Sequence, residues 1–185
     1  MTIAVAVSKN GRTFLAADSL VTFGGQRFAA DNCEFHKIQP VGDSLMVWSG
    51  WSLYGEILRS HLLSVPPPTL RTEQEVFTFF VSLWRSMRTD LTWVERGGKD
   101  HPFADLESTF LLANKASMFV VASDMDVTQF KQYTAVGSGS KYALGALRIL
   151  YEQLDDPEEI ARRAVQVGID CDVYCGGAID VEEVG

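Results

Sequence analysis

The dipeptide Asn10-Gly11, set between two apolar runs, constrains this chain more than any other feature. A two-residue hairpin turn needs positive φ at both central residues, which Asn and Gly tolerate, so the flanking runs pair as antiparallel strands. In the first run Ile3, Val5 and Val7 lie on one side, and Thr2, Ala4 and Ala6 on the other. Phe14-Leu15-Ala16-Ala17-Asp18 forms the second strand. Residues 19–33 hold Gly24-Gly25 and mixed polarity, which reads as a further short hairpin or loop. Residues 34–39 and 44–48 read as another strand pair about the Pro40-Val41-Gly42-Asp43 turn.

After Gly50 the period changes from two to that of a helix. Leu53, Ile57, Leu58 and Leu62 share a helical face that ends at Pro66-Pro67-Pro68. Thr72 and Glu75 make a capping box, followed by Val76, Phe79, Phe80, Leu83 and Met87 at helical spacing. Strands are expected near 109–114, 117–123 and 127–132, with a turn at Asp124-Met125-Asp126. A helix over 139–154 carries Ala143, Leu147, Leu150 and Leu154 on one stripe. Asp156-Pro157-Glu158-Glu159 opens another, with a capping aspartate, proline in the first turn and acids at the positive end of the dipole. The chain closes on strands near 172–175 and 178–184. Antiparallel strands with helices gathered in pairs predict an α+β fold, two antiparallel sheets sandwiched between two helix layers.

Of the 185 residues 46% are hydrophobic and 22% charged, which suits one domain over residues 1–185 with a full core. The net charge of −8 disfavours nucleic acid and anionic membranes, whose phosphates call for a basic surface. No apolar run reaches the roughly 18–20 residues that span a bilayer, and the N-terminus lacks the basic and long apolar regions of a signal peptide. Three cysteines, Cys33, Cys171 and Cys175, make no disulfide framework, so a reducing, cytoplasmic setting is expected.

Several motifs read blandly. Gly137-Ser138-Gly139-Ser140-Lys141 follows a strand and opens a helix, but Tyr142 stands where a dinucleotide loop needs its third glycine. A tight strand-to-helix turn accounts for it. The cysteines lack a second pair for zinc, and His61 and His101 read as solvated. Trp48 and Trp51 flank Gly50, as core or as the lining of a pocket.

Thr2 carries more. Methionine before a small residue is a usual target for removal, and the exposed threonine would then have a free α-amine, with a pKa of about 7.7–8.0, beside its own hydroxyl. That amine can act as general base for the hydroxyl nucleophile. With Met1 in place the amine does not exist.

Thr2-Ile3-Ala4-Val5 leads through Asn10-Gly11 to Ala16-Ala17-Asp18, then Phe35-His36-Lys37-Ile38 and Ser49-Gly50 before a helix. Ala135-Val136-Gly137-Ser138-Gly139-Ser140 precedes another helix, and Asp172-Val173-Tyr174-Cys175-Gly176-Gly177 lies near the end. In order and spacing these pieces, across almost the whole chain, resemble the bacterial proteasome-like, HslV-type subunits of the N-terminal nucleophile hydrolase superfamily.

The resemblance implies a four-layer αββα sandwich and a threonine peptidase. It aligns Thr2 with the nucleophile and Asp18 with the acid that orients a catalytic lysine. Ser138 and Asp172 align with the pair that holds the terminal amine, and Gly50 with the oxyanion donor. Cys175 takes a position usually held by serine or threonine, and Val21, His36 and Trp48 are candidate pocket residues. Counting back from Phe35-His36-Lys37-Ile38 puts Glu34 in the lysine position, a charge inversion beside Asp18. Read as a strand, the segment points Lys37 to the opposite face and leaves His36 on that of Glu34.

Two readings follow: an active threonine endopeptidase of a self-compartmentalised ring, or a catalytically inactive scaffold or chamber subunit with Glu34 in place of the lysine. An amidase with the same nucleophile is a third. The resemblance implies stacked rings of identical subunits, with Val76-Phe77-Phe79-Phe80 suited to contacts between rings. It implies a peptide or unfolded-protein substrate and an ATP-dependent unfoldase as partner, and calls for no cofactor and no metal.

Overall fold

The computed structural model describes residues 1–23, 25–28, 35–90 and 105–185. In chain order, β1 (Ile3–Lys9), β2 (Arg12–Asp18), β3 (Val21–Phe23), β4 (Gln26–Phe28), β5 (Gln39–Val41) and β6 (Ser44–Ser49) precede α1 (Tyr54–Ser64) and α2 (Glu73–Thr89). Then come β7 (Thr109–Ala113), β8 (Met118–Val121), β9 (Val127–Phe130), β10 (Tyr133–Gly137), α3 (Ser140–Gln153), α4 (Pro157–Cys171) and β11 (Ile179–Glu183). Asn10 and Gly11 take φ of 54° and 76°, and the turn sets Ala4 opposite Ala17 and Val5 opposite Ala16.

Two antiparallel sheets stack face to face. One has the order β10-β1-β2-β11 and the other β5-β6-β7-β8-β9, with β3-β4 a separate hairpin. Strand alternation sorts the residues into three cores. Ile3, Val5, Val7, Phe14 and Ala16 face α3 and α4, meeting Leu147, Ile160 and Val165. Their neighbours Ala4, Ala6, Leu15 and Ala17 face the other sheet, meeting Val47, Leu111 and Ala113. The outer face of that second sheet presents Met46, Trp48, Phe110 and Leu112 to Tyr54, Phe80 and Leu83 of α1 and α2. Small alanines between the sheets let them approach closely, and the bulky residues go outward to the helices. The result is the αββα sandwich.

The helix ends follow their local chemistry. Thr72 and Glu75 form the reciprocal capping box of α2, and the Asp156 carboxylate accepts the Glu158 N–H at the start of α4, whose first turn holds Pro157. α1 stops at Ser64, before Pro66.

Several expectations are corrected. The strand expected over 127–132 is β9, which ends at Phe130 and pairs with β8; β10, which begins at Tyr133, pairs with β1 in the other sheet. Residues 172–175 form a turn, in which the Cys175 N–H donates to the Asp172 carbonyl at 3.0 Å. No strand spans 35–38, since β5 begins only at Gln39. Of the four residues assigned to contacts between rings, Val76, Phe79 and Phe80 are buried in the core under α2, leaving Phe77 exposed. His61 is buried rather than solvated, with an unpartnered Nε2, and burial lowers its pKa. Gly24, Cys33, Glu34 and His101 lie outside the described residues.

Candidate active site

Thr2 sits at the open end of β1, buried, with Gly137 of β10 on one side and Asp18 of β2 on the other. Gly137 has φ +96°, and a Cβ there would lie 2.0 Å from the Thr2 carbonyl oxygen. Only glycine lets β10 approach the first residues of β1 this closely.

On the β2 side, Asp18 is fully buried, and both carboxylate oxygens are occupied. Oδ1 accepts the Ile3 N–H at 3.0 Å and the Lys37 ammonium at 2.6 Å, and Oδ2 accepts the Gly176 N–H at 3.0 Å. Lys37 Nζ also donates to the Met1 carbonyl at 3.2 Å. Two opposite charges removed from water stabilise each other only when this well paired, and either one alone would be strongly destabilising.

This geometry corrects the expectation that Lys37 faces away from Asp18. Period-two counting applies to a strand, and residues 35–38 are an irregular segment that turns the Lys37 side chain inward. A cation therefore does stand against Asp18, supplied by Lys37. His36 also departs from expectation: it is exposed, and its carbonyl accepts from Gln39 Nε2 at 2.7 Å.

On the β10 side lies a network of hydroxyl, thiol and carboxylate. Ser138 Oγ donates to the Thr2 carbonyl at 3.5 Å and lies 3.7 Å from Cys175 Sγ. The Asp172 carboxylate accepts the Tyr174 N–H at 2.9 Å. Burial alone would raise the Asp172 pKa, but hydrogen bonds from Tyr174, Ser138 and Cys175 outweigh it and hold the carboxyl below its ordinary value. Burial pushes the Cys175 thiol up to about 11, so it acts here as a neutral hydrogen-bonding group rather than a nucleophile.

A cleft of about 630 Å³ opens in front of Thr2, lined among others by Val21, Lys37, Trp48, Gly50 and Trp51. Gly50 adopts φ +141°, and a Cβ there would lie 2.0 Å from Ser108 Oγ, so the turn after β6 requires glycine. The sequence-derived residues Thr2, Asp18, Gly50, Ser138, Asp172, Val21 and Trp48 therefore gather around one cleft and its rear wall; Glu34 lies outside the described residues, and Lys37 and Trp51 join the set. Lys37 was legible as the one cation in Phe35-His36-Lys37-Ile38, had the segment been read as irregular. Among the described residues no three His, Cys, Asp or Glu side chains cluster as a metal site, and no helix is long and apolar enough to cross a membrane.

Comparison with known proteins finds likenesses over the whole chain. A family model described as proteasome subunit matches residues 103–184. The ATP-dependent protease subunit HslV of Pseudothermotoga lettingae is 26% identical over 99% of this chain and 97% of its own length. The HslV of Hyphomonas neptunium is 28% identical over 98% and 91%. Among solved structures, Thiobacillus denitrificans BPH superposes with a TM-score of 0.90 at 28% identity, covering 98% of this chain and 96% of that one. The same protein in complex with epoxomicin gives 0.89 at 28% identity, covering 98% and 97%. Eukaryotic HslV from Trypanosoma brucei, at 22% identity and a TM-score of 0.70 over 98% of both chains, shares the fold.

The proteasome-subunit match over residues 103–184 and the whole-chain likeness to BPH and HslV make this chain similar to proteasome-type subunits, in sequence and in fold. The relatives it resembles over its whole length are named ATP-dependent protease subunits.

Proposed function

We propose that this chain is an active threonine-type endopeptidase subunit of a proteasome-like ring, with Thr2 as nucleophile once Met1 is removed. The observation that carries this reading is the buried Lys37–Asp18 pair set against the first two residues, with Nζ on the Met1 carbonyl. Removing Met1 frees that ammonium and creates an α-amine on Thr2 in the same place.

In the reaction, the α-amine takes the proton of Thr2 Oγ, and Oγ bonds to the carbonyl carbon of the scissile peptide. Lys37, held by Asp18, places a positive charge beside the hydroxyl and favours its deprotonation. The developing oxyanion accepts the Gly50 N–H on the cleft wall. The amine proton passes to the leaving nitrogen, the C–N bond breaks, and an ester to Thr2 remains. Water then gives a proton to the amine, attacks the ester and restores the hydroxyl. Ser138 and Asp172 orient the amine throughout.

Support from relatives is of the same kind: the HslV proteins are named ATP-dependent protease subunits, and the BPH structure holds epoxomicin. On that likeness this chain acts in the cytoplasm, in stacked rings of its own copies, on peptides or unfolded proteins delivered by an ATP-driven unfoldase. The test is intact mass followed by peptide hydrolysis. Loss of Met1, cleavage of short peptides and abolition by Thr2→Ala are expected. Retention of Met1 in assembled protein, or full activity in Thr2→Ala, would overturn the reading.

A further inference from the structure

Trp51 is 53% exposed on the rim of the cleft, yet three hydrogen bonds hold it in place. Its backbone N–H donates to Ser108 Oγ at 3.1 Å, and its indole N–H to the Glu107 carboxylate at 2.9 Å. Its carbonyl accepts the Trp48 indole N–H at 3.0 Å. Both ends of this clamp use backbone that side chains rarely adopt, Gly50 at φ +141° and Glu107 at φ +49°. Strained backbone and three hydrogen bonds are thus invested in an aromatic ring that remains half in water. Such strain collects where a ligand is clamped, and a ring fixed in advance loses little freedom when a ligand covers it.

Among the described residues, the charged groups of the cleft are already paired. Of its charged lining side chains, Lys37 pairs with the buried Asp18 and Glu56 with Arg59 on the next turn of α1. Its other walls combine the apolar Leu20, Val21, Trp48 and Trp51 with the uncharged hydroxyls of Thr22 and Ser52. Among the described residues, an ionic side chain entering there would give up water and meet charges that are already paired.

We propose that Trp51 is a specificity-determining residue, a rigid aromatic wall that seats the side chain next to the attacked carbonyl. It selects large apolar or aromatic residues such as Phe, Tyr and Leu over small or charged ones, through burial and offset ring packing. The proposal deepens the peptidase reading above and rests on it.

The test uses the assembled protein and peptide substrates that differ only in the residue before the reporter group: Phe, Leu, Ala, Asp or Arg. The expected kcat/KM is at least about tenfold higher for Phe than for Ala, and lowest for Asp and Arg. Trp51→Ala brings the Phe-to-Ala ratio to within about twofold, and Trp51→Phe keeps most of it. An unchanged ratio in Trp51→Ala, or a wild-type preference for Asp or Arg, would overturn the proposal. Failure to cleave any of the five, with no adduct from a peptide epoxyketone by intact mass, would sink the peptidase reading instead. In that event binding decides the role of the wall: an acetylated tripeptide amide ending in Phe should bind more tightly than its Ala counterpart. Equal affinities, or affinities that Trp51→Ala leaves alone, would remove it.

Discussion

Asp18 and Asp172 flank the same threonine, Thr2, and work in opposite regimes. Asp18 is sealed from water and meets a full cation and two backbone N–H groups. Asp172 is half-buried, accepts the Tyr174 N–H, and is held below its ordinary pKa by that bond and by the Ser138 hydroxyl and Cys175 thiol nearby. The first arrangement is held by charge in a low-dielectric pocket, where losing either partner leaves an uncompensated ion. The second consists of hydrogen bonds from uncharged donors to a carboxylate near solvent, each worth about 1.5–3 kcal/mol and individually replaceable. One side of the threonine is therefore rigid and intolerant of change, and the other is adjustable, which explains how cysteine can stand at position 175.

The largest effect expected from breaking this contrast comes from Lys37→Met. Stranding Asp18 should cost about 3–5 kcal/mol by urea denaturation and abolish peptide hydrolysis. A reading with Glu34 in the lysine position predicts little change, so this substitution also separates the two alignments. Next is Gly137→Ala, whose Cβ would meet the Thr2 carbonyl at 2.0 Å. With φ also unfavourable, it should lower stability by roughly 1–3 kcal/mol and reduce hydrolysis more than peptide binding, read as a kcat loss at near-constant KM.

Smaller changes sharpen the adjustable side. Cys175→Ser replaces a thiol by a better donor and acceptor beside Ser138 and should raise kcat by no more than about fivefold, the worth of one neutral hydrogen bond. The smallest effect belongs to Asp172→Asn and shows itself in pH. The Asp172 carboxyl sits below its ordinary value in the fold, so its ionised form contributes stability above the unfolded pKa of about 3.9. That contribution is lost as pH falls through the folded value. The melting temperatures of wild type and Asp172→Asn should therefore differ at neutral pH and converge in acid. A constant gap across that range would mean that the carboxylate is not held by its charge.

Local rules made much of the architecture legible. The Asn10-Gly11 turn, the alternation of Ile3, Val5 and Val7 with Ala4 and Ala6, and the caps at Thr72 and Asp156 each depend on neighbours within a few residues. Reading failed where such rules do not reach. The change of sheet between Phe130 and Tyr133 occurs with no glycine or proline to mark it. His61 looked solvated among polar neighbours, yet it faces Phe79 of α2 with ring centroids 5.8 Å apart. Trp51 could not be told from core, because its exposure depends on what α1 and the segment before β7 leave open.

The sequence by itself determined the layered fold, the hairpin that carries Thr2 and Asp18, and the membership of Ser138, Asp172 and Gly50 in one set, because turns, caps and alternation are short-range and ordered composition carries a family likeness. Tertiary structure alone decided which cation faces Asp18. Residues 35–38 follow no regular period, so the direction of Lys37 is set by the buried carboxylate it must neutralise, about twenty residues away in sequence and 2.6 Å away in space.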